Sequence, residues 1–130
     1  MQYQNGVVVK CTENCGNSPK KQLLRDLAIA FVEGNHDFCL EWLRDDLVWT
    51  IVGKEQLTGT ASFINKQDYV MTLKPTKLHI EHIITHGNIA SLNGTLTFKD
   101  QSSIDFCHVF QFGGFGKTAK IKKITSYIIT

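Results

Sequence analysis

The 130 residues suffice for one domain with a real core and are few for two. Hydrophobic residues make up 42% and charged residues 20%, which excludes a disordered chain. Fourteen Lys and Arg against twelve Asp and Glu leave a formal charge of +2, too little for a nucleic-acid footprint.

Taken in order, residues 1–17 read as an appended arm in which Val7 to Lys10 can add an edge strand before Asn14, Gly16 and Asn17 interrupt it. The opening Met1 to Gly6 has neither a basic nor an apolar signal region, so a cytoplasmic protein is expected. Cys11, Cys15, Cys39 and Cys107 are then expected to be free thiols. Cys11 and Cys15 lack a second Cys or His pair at ligand spacing, so no zinc site is expected there, and a local redox pair stays open.

A helix starts at Ser18-Pro19, a hydroxyl N-cap followed by Pro at the first helical position. Leu23, Leu24, Leu27, Ala28, Phe31 and Val32 follow at helical spacing, and Gly34 stops the run. His36 to Leu43 reads as a second, shorter helix with Phe38, Leu40, Trp42 and Leu43 inward, ended by surface residues Asp45 and Asp46. Leu47 to Gly53 is β-rich, and Gln56 to Gly59 is a short strand or turn. Thr60 to about Leu73 is a third helix, closed by Lys74-Pro75.

From there the period becomes that of strands: Lys77 to His86, Ile89 to Lys99, Ser103 to Phe112 and Lys120 to Ile129. Their connections hold Gly87-Asn88, Asp100-Gln101 and Gly113-Gly114-Phe115-Gly116, which is hairpin chemistry. Helices followed by consecutive antiparallel strands predict an α+β domain over residues 18–130, a curved sheet closed by helices. No run approaches the roughly 18 apolar residues of a membrane-spanning helix, so no membrane partner is expected.

Several motifs fail on inspection. The Gly-rich segment ending in Lys117-Thr118 has Gln111 where a phosphate loop needs its first glycine, and a strand follows it. His82 and His86 lie about 13 Å apart in a strand, too far for one ion. His79 and His82 point to opposite faces, so no metal is expected. Strand alternation also turns Cys107 away from His108, against a Cys-His nucleophile. The cluster Lys117, Lys120, Lys122 and Lys123 reads as a solvated face.

What persists is a set of polar groups on apolar faces. One face of the third strand reads Ile104, Phe106, His108, Phe110, Phe112. His108 is either a satisfied core histidine or the polar group of an apolar pocket. Simple alternation puts His82 in a row with Leu78, Ile80 and Ile84, and Tyr127 in a row with Ile121, Thr125 and Ile129. Trp49 stands in the first long strand.

The order of elements, with Phe31-Val32-Glu33-Gly34-Asn35-His36-Asp37, Asp45-Asp46-Leu47-Val48-Trp49 and His108-Val109-Phe110-Gln111-Phe112-Gly113-Gly114-Phe115-Gly116-Lys117, resembles the nuclear transport factor 2-like superfamily over residues 18–130. That group includes ketosteroid isomerases and SnoaL-like polyketide cyclases. The resemblance implies a cystatin-like cone: three helices packed on a strongly curved, mainly antiparallel sheet around a pocket, paired as a homodimer through the sheet's outer face. Ketosteroid isomerases place an aspartate base where this chain has Ile51, a tyrosine donor at Leu27 and a protonated aspartic acid at His108, so two of the three positions are apolar here. The cyclases work by acid–base chemistry without metal or cofactor.

The expectation is a protein that binds a small apolar or amphipathic molecule. If it is an enzyme, it is a cofactor-free isomerase, dehydratase or cyclase with His108 as general acid/base near its ordinary pKa of about 6.5. His82 would be the second polar group, and Trp49, Phe106, Phe110 and Tyr127 the lining. The alternative is a non-enzymatic dimeric module whose cone is filled by its own side chains.

Overall fold

The first long helix begins where its cap allows. Ser18 Oγ accepts from the Lys21 N–H, Pro19 takes the first turn, and α1 runs Pro19–Glu33 until Gly34 turns left-handed at φ 71°. The computed structural model describes the backbone of every residue except Met1, Asn5 and Asn17, and the side chains from Gly6 onward apart from that of Asn17. Those three, which belong to the predicted arm, lie outside the described residues.

Before α1 come β1 (Gln2–Gln4) and β2 (Val7–Cys11), the latter paired in parallel with β5 (Pro75–His86). Asn35 caps α2 (His36–Trp42) by accepting from the Phe38 N–H. In α2 the buried residue is Cys39, whereas Leu40, expected inward, is 38% exposed. β3 (Leu43–Ile51) starts directly after it, so Asp45 and Asp46 belong to a strand rather than a helix end, with Asp46 held by Arg44 at 2.9 Å. β4 (Glu55–Thr58) folds back on β3, and α3 spans Thr60–Thr72.

β5, β6 (Ile89–Phe98), β7 (Ser103–Phe112) and β8 (Ile121–Ile129) follow as an antiparallel meander. The single sheet has the order β1-β2-β5-β6-β7-β8-β3-β4 and stays open at its ends. Two pairings, β2 with β5 and β3 with β8, are parallel; the rest are antiparallel. This is the expected α+β architecture of three helices on a mainly antiparallel sheet.

The helices cover the inner face. α1 packs on β5, and α3 packs on β3 and α1. Gln67 of α3, fully buried, donates to the carbonyls of Ala30 and Phe31 at 3.3 and 3.2 Å. Both carbonyls also accept from the backbone N–H groups of the cap, Gly34 and Asn35, so Gln67 adds a second donor that ties α3 to the end of α1. Leu24, Leu43, Leu47, Phe112 and Ile121 are at most 1% exposed and fill one end of the enclosed space.

Two interruptions decide which side chains face inward. In β5 the pairing with β6 slips between Ile80 and His82, leaving Glu81 as an extra residue. Opposite the slip stands Gly94, where a Cβ would lie 1.9 Å from the His79 carbonyl oxygen. Only glycine lets the two backbones approach so closely. In β8 the pairing with β7 slips between Ile121 and Lys123. Past each slip the inward set changes parity: Ile83 is buried rather than His82, and Ile124 and Ser126 rather than Thr125 and Tyr127.

Candidate functional site

The inner face of the sheet and the two longer helices enclose a cavity of about 330 Å³. Its walls are apolar: Leu27, Ala28, Phe31 and Val32 from α1, Phe63 and Val70 from α3, Leu73 at the end of that helix, and inward strand residues. β7 contributes Ile104, Phe106, His108 and Phe110 in succession, as alternation predicts. Phe31, Trp49 and Phe63 form a mutually packed aromatic wall, with ring centroids 5.1–5.9 Å apart.

Inside this wall one polar chain is built. Trp49, 6% exposed, donates its indole N–H to Ser126 Oγ at 2.8 Å. The same oxygen lies 2.6 Å from Nδ1 of His108. Indole can only donate, so Ser126 accepts from Trp49 and its own hydroxyl hydrogen needs an acceptor. His108 Nδ1 is that acceptor, which assigns the ring's remaining hydrogen to Nε2. Nε2 has no hydrogen-bond partner among the described residues and is not among the occluded orphaned atoms, which are Glu33 Oε2, Gln67 Oε1 and His79 Nε2. With His108 in the lining, Nε2–H is directed to the cavity.

The ring stacks on Phe106 at 4.8 Å and meets Phe110 edge-on at 6.1 Å. Burial in these surroundings lowers the His108 pKa from 6.5 to about 4. The imidazole is therefore neutral at ordinary pH, a hydrogen-bond donor to the cavity rather than a group poised to exchange protons near neutrality. The described lining holds no aspartate or glutamate, so it presents a donor without a carboxylate base beside it.

No family model matches the sequence, and no curated protein matches it. Solved structures do. A nuclear transport factor 2-like protein of unknown function from Burkholderia xenovorans superposes with a TM-score of 0.73 at 14% identity, over 89% of this chain and 87% of that one. The fold is nuclear transport factor 2-like. A protein assigned as a SnoaL-like polyketide cyclase, from Shewanella denitrificans, gives 0.71 at 15% identity over 86% and 91%. A protein of unknown function with a cystatin-like fold, from Methylobium petroleophilum, gives 0.74 at 12% identity over 88% and 78%.

On this nuclear transport factor 2-like cone, Trp49, Phe106, His108 and Phe110 line one cavity. Leu27 and Ile51, the apolar residues that the resemblance aligns with the isomerases' catalytic positions, both line the same cavity. His82 and Tyr127 do not. His82 is exposed because Glu81 shifts the phase of β5, and Tyr127 is 48% exposed on the outer face because of the slip in β8. The place expected for His82 beside His108 is taken by Ser126, which simple alternation assigns to the outer face. A signal for it exists in the sequence: Lys122-Lys123 between Ile121 and Ile124, like Glu81-His82 between Ile80 and Ile83, puts two polar residues where alternation allows one.

A broader depression of about 480 Å³ lies outside the cone, between the start of α1, α2 and the Gly113–Ala119 loop. It is separate from the polar chain: neither His108 nor Ser126 is among its residues.

Proposed function

We propose that this chain binds a small, mostly apolar molecule inside the cone and holds a carbonyl oxygen of it on His108 Nε2–H. The observation that carries the reading is the Trp49–Ser126–His108 chain, a built hydrogen-bond relay ending on a donor in an otherwise apolar cavity. In such surroundings one fixed donor stabilises negative charge that develops on oxygen more strongly than water does. The reaction class this supports is cofactor-free acid–base chemistry at a carbon next to a carbonyl: isomerisation, dehydration or cyclisation. His108 would stabilise the enolate oxygen while the proton leaves to water or to a group of the substrate. The similarity to a protein assigned as a polyketide cyclase is in keeping with that class. The cavity volume favours this over a cone filled by its own side chains.

Two companion proposals follow the same reading. The chain works in the cytoplasm, in keeping with Cys11, Cys15, Cys39 and Cys107 as free thiols, and no helix of the described chain is long and apolar enough to cross a membrane. It pairs with a second copy through the outer sheet face, where Ile84, Ile89, Tyr127 and Ile129 are 41–69% exposed.

The test compares tetralone with tetralin, which share a skeleton and differ in the carbonyl, by quenching of tryptophan fluorescence with Trp42→Phe as background, so that Trp49 is the one indole reporting. Tetralone is expected to bind about tenfold more tightly, the worth of one net hydrogen bond of about 1.4 kcal/mol. His108→Phe is expected to abolish the difference while leaving tetralin binding within about twofold. Equal affinities in the native protein, or entry of neither compound, would overturn the reading.

A further inference from the structure

We infer that the ligand of this cavity carries an anionic head group, a carboxylate or a group of like charge, held at the mouth of the cone by Lys54 and Lys66. The inference rests on the reading of the cavity as a binding site and adds the class of molecule.

The mouth is defined by those lining residues that also reach solvent. They are Lys54 in the β3–β4 turn, Tyr69 on α3, Leu73 just after it, and Thr130 after β8. Lys66, one helical turn before Val70 and about two before Leu73, lines the same end with its side chain 26% exposed. The opposite end is filled, since Phe112 is 1% exposed. Strand register sets the depth. On β7, Ile104 lies four residues before His108, so the donor sits roughly 13 Å below the rim at about 3.3 Å per residue.

Charge at the rim is unbalanced among the described side chains. Lys66 Nζ bonds Glu55 Oε2 at 2.7 Å and lies 5.2 Å from the centre of the Tyr69 ring. Lys54, next to Glu55 in the chain, has no ion-pair partner among the described residues. Lys54 and Lys66 thus both line the opening of an apolar cavity, and one carboxylate, Glu55, pairs with Lys66 alone. An apolar ligand with an acidic end satisfies both regions: its body replaces water along the aromatic wall, and its carboxylate stays half-solvated between the lysines. A neutral ligand would forgo the attraction of the two lysines, and an acid inserted head first would bury its charge beside apolar walls. With the head group at the rim, a body of roughly 13 Å brings a distal oxygen to His108 Nε2–H. The class is therefore a medium-length amphipathic acid with an oxygen function remote from its carboxylate.

The experiment titrates the full chain carrying Trp42→Phe with decanoate, decanol and tetralone at low salt, read by the fluorescence of Trp49. Decanoate is expected to bind about fivefold or more tighter than decanol, a preference that shrinks as salt is raised. Lys54→Met with Lys66→Met should remove that preference and leave decanol unchanged, because methionine preserves the apolar stem. Glu55→Gln should act oppositely, freeing Lys66 and strengthening decanoate by about twofold or more. A carboxyl end at Thr130 would oppose the lysines, so the titration is repeated with two glycines appended there; the preference should persist or grow. If decanol or tetralone binds but decanoate is no tighter, or if the lysine substitutions leave the preference intact, the head-group inference is overturned and the cavity reading stands. If none of the three probes binds, the cavity reading itself fails.

Discussion

His108 is one residue of a five-member row, and its neighbours decide its chemistry. Phe106 and Phe110 strip water from the ring, and Ser126 fixes its tautomer through Trp49. Stability should record this. The unfolded imidazole takes a proton near 6.5, and the folded one only near 4. Between these values the unfolded chain binds the proton that the folded chain refuses. The contribution of a neutral His108 is therefore complete above about pH 6.5 and declines as pH falls toward about 4. The full decline is roughly 3 kcal/mol, at about 1.4 kcal/mol per pH unit. Urea denaturation across this range, comparing the native chain with His108→Phe, should show the native chain losing that much relative to the variant. A difference independent of pH would contradict the assignment.

At the scale of the element, β5 and β8 show why an alternating pattern locates a strand more surely than its faces. Both carry two polar residues between apolar ones, Glu81-His82 and Lys122-Lys123. Both answer with a slip in register that keeps the next apolar residue, Ile83 or Ile124, inside. Burying Ile83 and Ile124 is worth about 2 kcal/mol each, against one residue left out of the β5–β6 or β7–β8 ladder. The side chains after the slip change face, which sends His82 and Tyr127 out and brings Ser126 in. Gly94 is the counterpart of the β5 slip. Gly94→Ala should cost about 2–3 kcal/mol, because neither backbone can retreat from a Cβ 1.9 Å from the His79 oxygen. The check is a lower urea midpoint with an unchanged slope; a variant as stable as the parent would show that the slip is soft.

For the whole molecule, the outer face of the sheet is the counterpart of the cavity. Ile84, Tyr127 and Ile129 project from it beside half-buried Val109 and Thr125. A sheet with one face packed on helices leaves the other to water or to a partner, and exposed Ile and Tyr favour the partner. Light scattering after size exclusion should give twice the mass of a 14.7 kDa chain, and Tyr127→Glu should give a monomer that still binds tetralone. A native monomer at high concentration, or a dimer unaffected by Tyr127→Glu, would remove the proposal.

The sequence by itself determined the order of the three helices and of the strands from β2 onward, though neither β1 nor the start of β3 at Leu43, because caps, turns and hydrophobic period act within a few residues. Ser18, Gly34 and Pro75 mark helix or strand boundaries, and the row from Ile104 to Phe112 follows simple alternation. It also placed His108, Trp49, Phe106 and Phe110 on faces that meet. Tertiary structure decided the rest. The phase of β5 and β8 depended on pairing with strands tens of residues away, and only that pairing put Ser126 between Trp49 and His108. The ionisation of His108 was likewise decided there, since a pKa near 6.5 becomes one of about 4 only when the fold closes an apolar wall around the ring.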